Sequence, residues 1–227
     1  MTIRPQKTDY IDIHSHHKSY EGGVFRIYNQ FLNDPDEELS SKAISTGLHP
    51  WHINDFDSLD SLAIILESNI NRDSVLLVGE TGLDKIISTP FEQQLDVFEQ
   101  HIFQSEKFSK PLIIHCVKSY QELIEVRQRI KPNQEWIIHG FNSSPELAQE
   151  LVRMGFYLSI GDSLLRKNEK SREVLKKIQI SRLFIETDED NKSIQELYKE
   201  VSLIYELEAV KLKEYIYKNF INLFQND

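Results

Sequence analysis

Seven short, nearly continuous apolar runs recur along the chain, and most of them end in a histidine or a carboxylate. They span residues 10–13, 43–46, 75–78, 112–114, 136–138, 156–159 and 183–185. Runs that are apolar throughout, rather than alternating, are the pattern of parallel strands covered on both faces. The segments between them have helical spacing, and strand–helix alternation along a whole chain points to an α/β fold. The expected architecture is a compact TIM-like (β/α) barrel in which seven strands are clear and an eighth is absent or irregular. Typical barrels take about 250 residues; this chain has 227. No linker, internal repeat or low-complexity tract interrupts it, so residues 1–227 read as a single barrel domain.

Helix signals fit this order. Thr89, Pro90 and Glu92 read as N-cap, first position and third position of a helix. Phe91, Leu95, Phe98 and Ile102 then recur on one face. Ser119 with Glu122 is a second capping box. Ser144-Pro145-Glu146 opens a third helix, which Gly155 closes. Residues 193–224 read as two helices, and the acidic stretch Asp34–Glu38 as a solvated loop.

The formal net charge is −10. That argues against a protein that coats nucleic acid through a broad basic face, but not against one that holds phosphates through metal ions. The single cysteine, Cys116, excludes an intramolecular disulfide. No apolar run approaches the roughly 18 residues of a membrane span, and the N-terminus has no apolar signal-peptide core. The expected setting is the cytoplasm, with no membrane association and no stable protein partner inferable.

Chemistry gathers where the apolar runs stop. The first ends in His14-Ser15-His16, the third in Gly79-Glu80, the fourth in His115, the fifth in His139 and the seventh in Glu186-Thr187-Asp188. In a parallel barrel these ends share one rim, where such folds place their sites. Strand side chains alternate, so His14 and His16 face the same way and form a two-armed clamp. The rim set is imidazole and carboxylate without thiolate, which suits Zn, Mn, Co or Fe more than a soft ion. His14, His16, Glu80, His115, His139 and Asp188 exceed what one tetrahedral ion uses. Six donors with open positions fit two ions a few ångströms apart, which can activate water at neutral pH.

Other residues near the rim admit more than one role. His49, in Gly47-Leu48-His49-Pro50-Trp51-His52, is a candidate for substrate contact or for supporting the ligands. Lys85 and Lys118 lie just past ligand-bearing ends and could meet an anionic substrate. Glu186 faces the barrel interior or serves as a hydrogen-bonded structural group. Cys116 turns away from the rim and reads as a core residue. His17 and His101 are expected to face solvent.

In this order, the motifs resemble the TatD family of metal-dependent hydrolases over nearly the whole chain. The resemblance rests on Asp12-Ile13-His14-Ser15-His16, Gly47-Leu48-His49-Pro50, Gly79-Glu80-Thr81-Gly82-Leu83-Asp84, Ile113-Ile114-His115-Cys116, Ile138-His139-Gly140-Phe141 and Ile185-Glu186-Thr187-Asp188, with Asn219-Phe220 and Leu223-Phe224 at the end. It implies a barrel with deoxyribonuclease or related phosphodiesterase activity. His14, His16 and Asp188 would hold one ion, His115 and His139 a second, and Glu80 would bridge them. The chain departs from the family where substrate would be held. Val117 stands where the family usually has Arg, Lys85 where it has Tyr, and Glu189-Asp190-Asn191-Lys192 where it has a Pro-rich loop.

The expected function is a divalent-metal-dependent phosphodiesterase or deoxyribonuclease using metal-activated water, with Asp188 and Glu80 as catalytic carboxylates. Two ions of the Zn, Mn, Mg or Co class are its cofactors, and nucleic acid or another phosphodiester is its transient partner. The alternatives are an amidohydrolase-like enzyme on a small amide or ester, and a non-catalytic metal-binding homologue.

Overall fold

Eight parallel strands follow one another around the sheet in strict chain order. The computed structural model describes residues 3–19, 21–32, 42–56, 58–166 and 169–224, without the side chain of Asp60. The acidic stretch Asp34–Glu38 lies outside the described residues. The strands are β1 (Tyr10–Ser15), β2 (Val24–Phe31), β3 (Ala43–Gly47), β4 (Val75–Asp84), β5 (Leu112–Val117), β6 (Trp136–Ile138), β7 (Tyr157–Ile160) and β8 (Leu183–Ile185). Helices α1 (Leu59–Ile70), α2 (Phe91–Phe108), α3 (Tyr120–Ile130), α4 (Pro145–Arg153), α5 (Asp162–Leu165) and α6 (Glu169–Lys177) form the later crossovers, and α7 (Ile194–Tyr205) and α8 (Ala209–Asn222) follow β8.

The strand missing from the sequence reading is β2. Its segment, Val24 to Phe31, interrupts its apolar residues with Arg26, Asn29 and Gln30, so it shows no continuous run. The fold uses those polar groups inside the protein. Arg26 Nε donates to the buried Asp12 at 2.8 Å, Asn29 sits against Glu80, and Gln30 Oε1 accepts from Arg72. The described residues of the 16–23 connection from β1 to β2 contain no helix, one reason the barrel is shorter than usual.

Closure between β8 and β1 is slight but well bonded. Ser15 and Asp188 form an isolated parallel bridge. Asp188 N donates to His14 O at 3.1 Å, and His16 N donates to Asp188 O at 3.0 Å. Below this seam Asp12 accepts from Thr187 N at 2.9 Å and from Thr187 Oγ1 at 2.8 Å. Thus the barrel is drawn shut by the residues that carry the site.

The core is the barrel interior together with the shell between strands and helices. Trp136 packs edge-on against Phe98 and Phe156, and the Arg127 guanidinium covers both Trp136 and Phe156. Cys116 is buried, and burial pushes its thiol up to about 12. Two cap expectations are corrected. Helix α2 begins at Phe91 with Pro90 at the cap, so Thr89 does not cap it. Ser119 Oγ donates to Val117 O and Leu83 O instead of capping α3, because the buried β5–α3 turn has carbonyls to satisfy. Ser144 caps α4 as expected, accepting from Leu147 N.

Candidate metal centre

Glu80 reaches the rim because of the backbone beneath it. Between Val78 and Thr81 the β4–β5 register slips. Gly79 there has φ +125°, and a Cβ on it would lie 2.2 Å from Ile113 O. Only glycine fits so close to the neighbouring strand. Gly82, at φ +147°, meets the same constraint against His115 O. The bulge delivers Glu80 into a ring of imidazoles while keeping it almost fully buried.

The two carboxylate oxygens of Glu80 face different partners. Oε2 lies 3.4 Å from His14 Nε2 and 3.6 Å from His16 Nε2. Asp188 Oδ1 is 3.6 Å from the same His14 atom and 3.5 Å from the same His16 atom. Oε1 lies 2.8 Å from His139 Nε2 and 3.2 Å from His115 Nδ1. One carboxylate thus stands between a His14–His16–Asp188 group and a His115–His139 group. All six residues named from strand ends are brought together, and the His14 and His139 ring centres are only 4.4 Å apart.

Further carboxylates stand behind the second group. Asp84 Oδ2 is 3.2 Å from His115 Nε2, and Glu186 Oε1 is 3.5 Å from His139 Nδ1. Glu186 is itself held by Gly140 N at 2.5 Å. A carboxylate on the far nitrogen of an imidazole fixes its tautomer and aim, the usual support of a metal-binding histidine. Asp84 was visible in the sequence as part of a motif but had no role there.

His49 takes a supporting place. Its Nδ1 accepts the Trp51 backbone N–H at 3.2 Å, which leaves the proton of the neutral ring on Nε2. That nitrogen lies 3.2 Å from Glu80 Oε1, so His49 stands against the central carboxylate. Burial lowers its pKa and favours this neutral form. Asn29 adds a second hold. Its Oδ1 accepts from Glu80 N at 3.0 Å and from Ser45 Oγ at 3.0 Å, and its Nδ2 lies 3.4 Å from Glu80 Oε2. Asn29 was missed because β2 was missed.

Lys85 is paired with Glu122 and lies over the Phe91 ring. Lys118, exposed just beyond β5, has no ion pair among the described residues and takes a left-handed φ of 53°. Neither histidine expected to face solvent does so. His101 is fully buried, accepting from Leu48 N at 2.9 Å and donating from Nδ1 to Val97 O at 2.7 Å. It falls on the inner face of α2, three and four residues after Phe98 and Val97, a spacing that could have revealed it. His17 is partly buried, its Nε2 2.8 Å from Asp190 O.

The electrostatics call for a cation. Burial and His139 pull the His14 imidazole down, yet Asp188 and Glu80 outweigh them and hold it up at about 9. Burial likewise opposes charge on His139, but Glu80 and Glu186 raise it well above the ordinary histidine value. Burial alone would raise Glu80; His139, His115 and His14 instead hold it well below the carboxylate range. Neither ring nitrogen of buried His14 makes a hydrogen bond of ordinary geometry. These donors, all nitrogen and oxygen, are grouped closely enough to hold metal ions, so the residues fit a divalent-metal centre.

Comparison with known proteins agrees. Residues 36–225 match the family described as TatD related DNase. An uncharacterized metal-dependent hydrolase, YabD of Bacillus subtilis, is 34% identical over 155 residues, which are 67% of this chain and 60% of that protein. This chain therefore spans less than two thirds of that relative's length. Among solved structures, the TatD homologue YjjV of Escherichia coli superposes with a TM-score of 0.81 at 20% identity, covering 96% of this chain and 99% of that one. A hydrolase of the TatD family from Entamoeba histolytica gives 0.76 at 20% identity, covering 99% and 100%.

Proposed function

The chain belongs to the TatD related DNase family, and on that premise we propose that it is a divalent-metal-dependent hydrolase of phosphodiesters. The observation that carries this reading is Glu80, whose two oxygens face separate groups of imidazoles. His14, His16 and Asp188 would hold one ion and His115 and His139 the other, with Glu80 shared. Bound divalent ions supply Lewis acidity: they make water acidic enough to lose a proton near neutral pH and neutralise charge growing on the reacting oxygens.

The residues themselves do the remaining work. Asp188 Oδ1 faces His14 and His16, which leaves Oδ2 to take the proton of the attacking water. The carboxyl is held low, at about 2, where His14 and His139 overcome the opposing effect of burial, so it is ionised at neutral pH. Asn29 keeps Glu80 aimed, and His49 stands against it. Asp84 keeps His115 aimed, and the Glu186 carboxylate stands 3.5 Å from His139 Nδ1. Lys118 would meet the substrate anion, and Lys85 would do so only by leaving Glu122.

The test assays metal-reconstituted protein in parallel on single-stranded DNA, RNA, bis-p-nitrophenyl phosphate and a panel of amides, with Asp188→Asn beside it. Asn tolerates the left-handed φ of 52° at this position, so the variant should fold. It should keep metal and lose roughly 10²–10⁴-fold in rate, the size of a general-base contribution. Hydrolysis of amides alone would favour an amidohydrolase, and hydrolysis of nothing a non-catalytic metal protein.

A further inference from the structure

Trp51 stands at the edge of the Glu80 cluster with 61% of its surface exposed. The only other tryptophan, Trp136, is fully buried. The Trp51 ring is pinned in place. Its Nε1 donates to buried Asp84 Oδ2 at 3.0 Å, the same oxygen that faces His115. Its backbone N–H is bonded to His49. The ring centre lies 4.9 Å from that of His49 and 6.2 Å from that of His115. Phe31 and His52, with ring centres 5.4 Å apart, extend the aromatic edge, and Phe31 lies 5.2 Å from His16.

We propose that Trp51 is a stacking platform for an unpaired nucleobase next to the phosphodiester held at the metal centre. This rests on the hydrolase reading above. The one polar atom of the indole is already used by Asp84, so the ring offers a ligand only its π-face and apolar edge. Every base has a π-face to match, and stacking on aromatic side chains is how proteins grip single strands without reading sequence. A duplex keeps its bases paired and stacked, out of reach of such a ring. With a net charge of −10, overall electrostatics do not draw a polyanionic strand to this chain. Grip must therefore come from the site itself, with the phosphate at the cluster and the base on the indole.

The test uses the intrinsic fluorescence of the full, zinc-loaded chain. With Trp136 buried, aqueous iodide quenches Trp51 selectively. The probes are a short phosphorothioate oligothymidylate, which resists cleavage, the same strand in a duplex, and 2-deoxyribose 5-phosphate, which has no base. The single strand should change Trp51 emission and shield it from iodide; the duplex and the sugar phosphate should not. Calorimetry reads affinity in the variants, which lack the Trp51 reporter: Trp51→Phe keeps a ring and should bind the strand within about threefold, whereas Trp51→Ala should bind it roughly tenfold or more weakly. Both changes remove the N–H bonded to Asp84, so any loss of affinity for the sugar phosphate should be the same in the two variants and smaller than the loss of the strand in Trp51→Ala, and Trp136 emission reports whether each variant folds. Emission indifferent to the single strand would overturn the proposal. So would an equal loss of strand and sugar phosphate in Trp51→Ala, since Trp51 would then only anchor Asp84. Binding is read apart from turnover: a Trp51 response to the phosphorothioate strand with no hydrolysis of the ordinary phosphodiester strand supports stacking and sinks the hydrolase reading, whereas hydrolysis of the phosphodiester strand with no Trp51 response does the reverse.

Discussion

The side-chain oxygen of Asn29 accepts the backbone N–H of Glu80 at 3.0 Å, tying strand β2 to the central carboxylate on β4. The two residues are 51 positions apart in sequence, and β3 lies between their strands. Ser45 on that intervening strand donates to the same Asn29 oxygen. Removing Asn29 therefore leaves a buried N–H and a buried hydroxyl without partners.

Asn29→Ala should cost about 1–3 kcal/mol of stability from those orphaned groups. It should also weaken metal binding by roughly 10–100-fold, the usual effect of losing a group that orients a ligand. Chemical denaturation of the metal-free protein reads the first effect, and competition with a metal chelator the second. A variant with lowered stability and unchanged metal affinity would confine Asn29 to a structural role.

Asp84→Asn separates the two groups around Glu80. Asp84 touches His115 but neither His14 nor His16, so one ion should be lost far more readily than the other. Elemental analysis after graded dialysis should show one loosely held and one retained metal, with affinity for the loose one down roughly 10–100-fold. Equal loss of both would contradict the assignment of His115 to a separate ion.

Metal binding should expel protons. Ligands must be deprotonated to bind metal, and in the metal-free cluster Asp188 and Glu80 hold His14 up at about 9, while Glu80 and Glu186 raise His139 well above the ordinary histidine value. At neutral pH these rings carry protons that an ion must displace. Affinity should therefore rise with pH from neutral into the alkaline range, and calorimetry in buffers of different ionisation enthalpy should report proton release. Affinity independent of pH would contradict a histidine-built site.

His101 should make the fold sensitive to acid. Burial lowers its pKa to about 4, from about 6.5 when exposed. Between those values the unfolded chain binds the extra proton, so stability falls as pH drops through that window. The loss sums to about 3 kcal/mol, because burial of the ring disfavours its charged form. His101→Gln should flatten that part of the stability profile in pH-dependent denaturation. An unchanged slope would place the acid sensitivity elsewhere.

The clustering of the six residues proposed as ligands was legible because each lies at the end of an apolar run, and a parallel barrel gathers such ends on one rim. What was not legible lay in residues whose partners are distant in sequence. Strand β2 was hidden by Arg26, Asn29 and Gln30, which look solvent-facing until Asp12, Glu80 and Arg72 are beside them. The place of His49 depends on which ring nitrogen accepts from Trp51, a matter of local geometry that residue type does not carry. The role of Asp84 depends on β4 and β5 being paired so that His115 lies within its reach. His101 was misread by residue type alone, although its helical spacing put it with Val97 and Phe98.

The central claim is that Glu80 is shared between two ion positions, and its most direct test is metal stoichiometry in the parent chain and in Glu80→Gln. Both proteins are stripped, reconstituted with zinc or manganese, freed of excess ion and measured by elemental analysis beside phosphodiester hydrolysis. Two ions per chain in the parent, at most one in the variant, and loss of hydrolysis with the second ion are the expected result. A parent chain that takes up fewer than two ions, or a Glu80→Gln chain that keeps both, would contradict it.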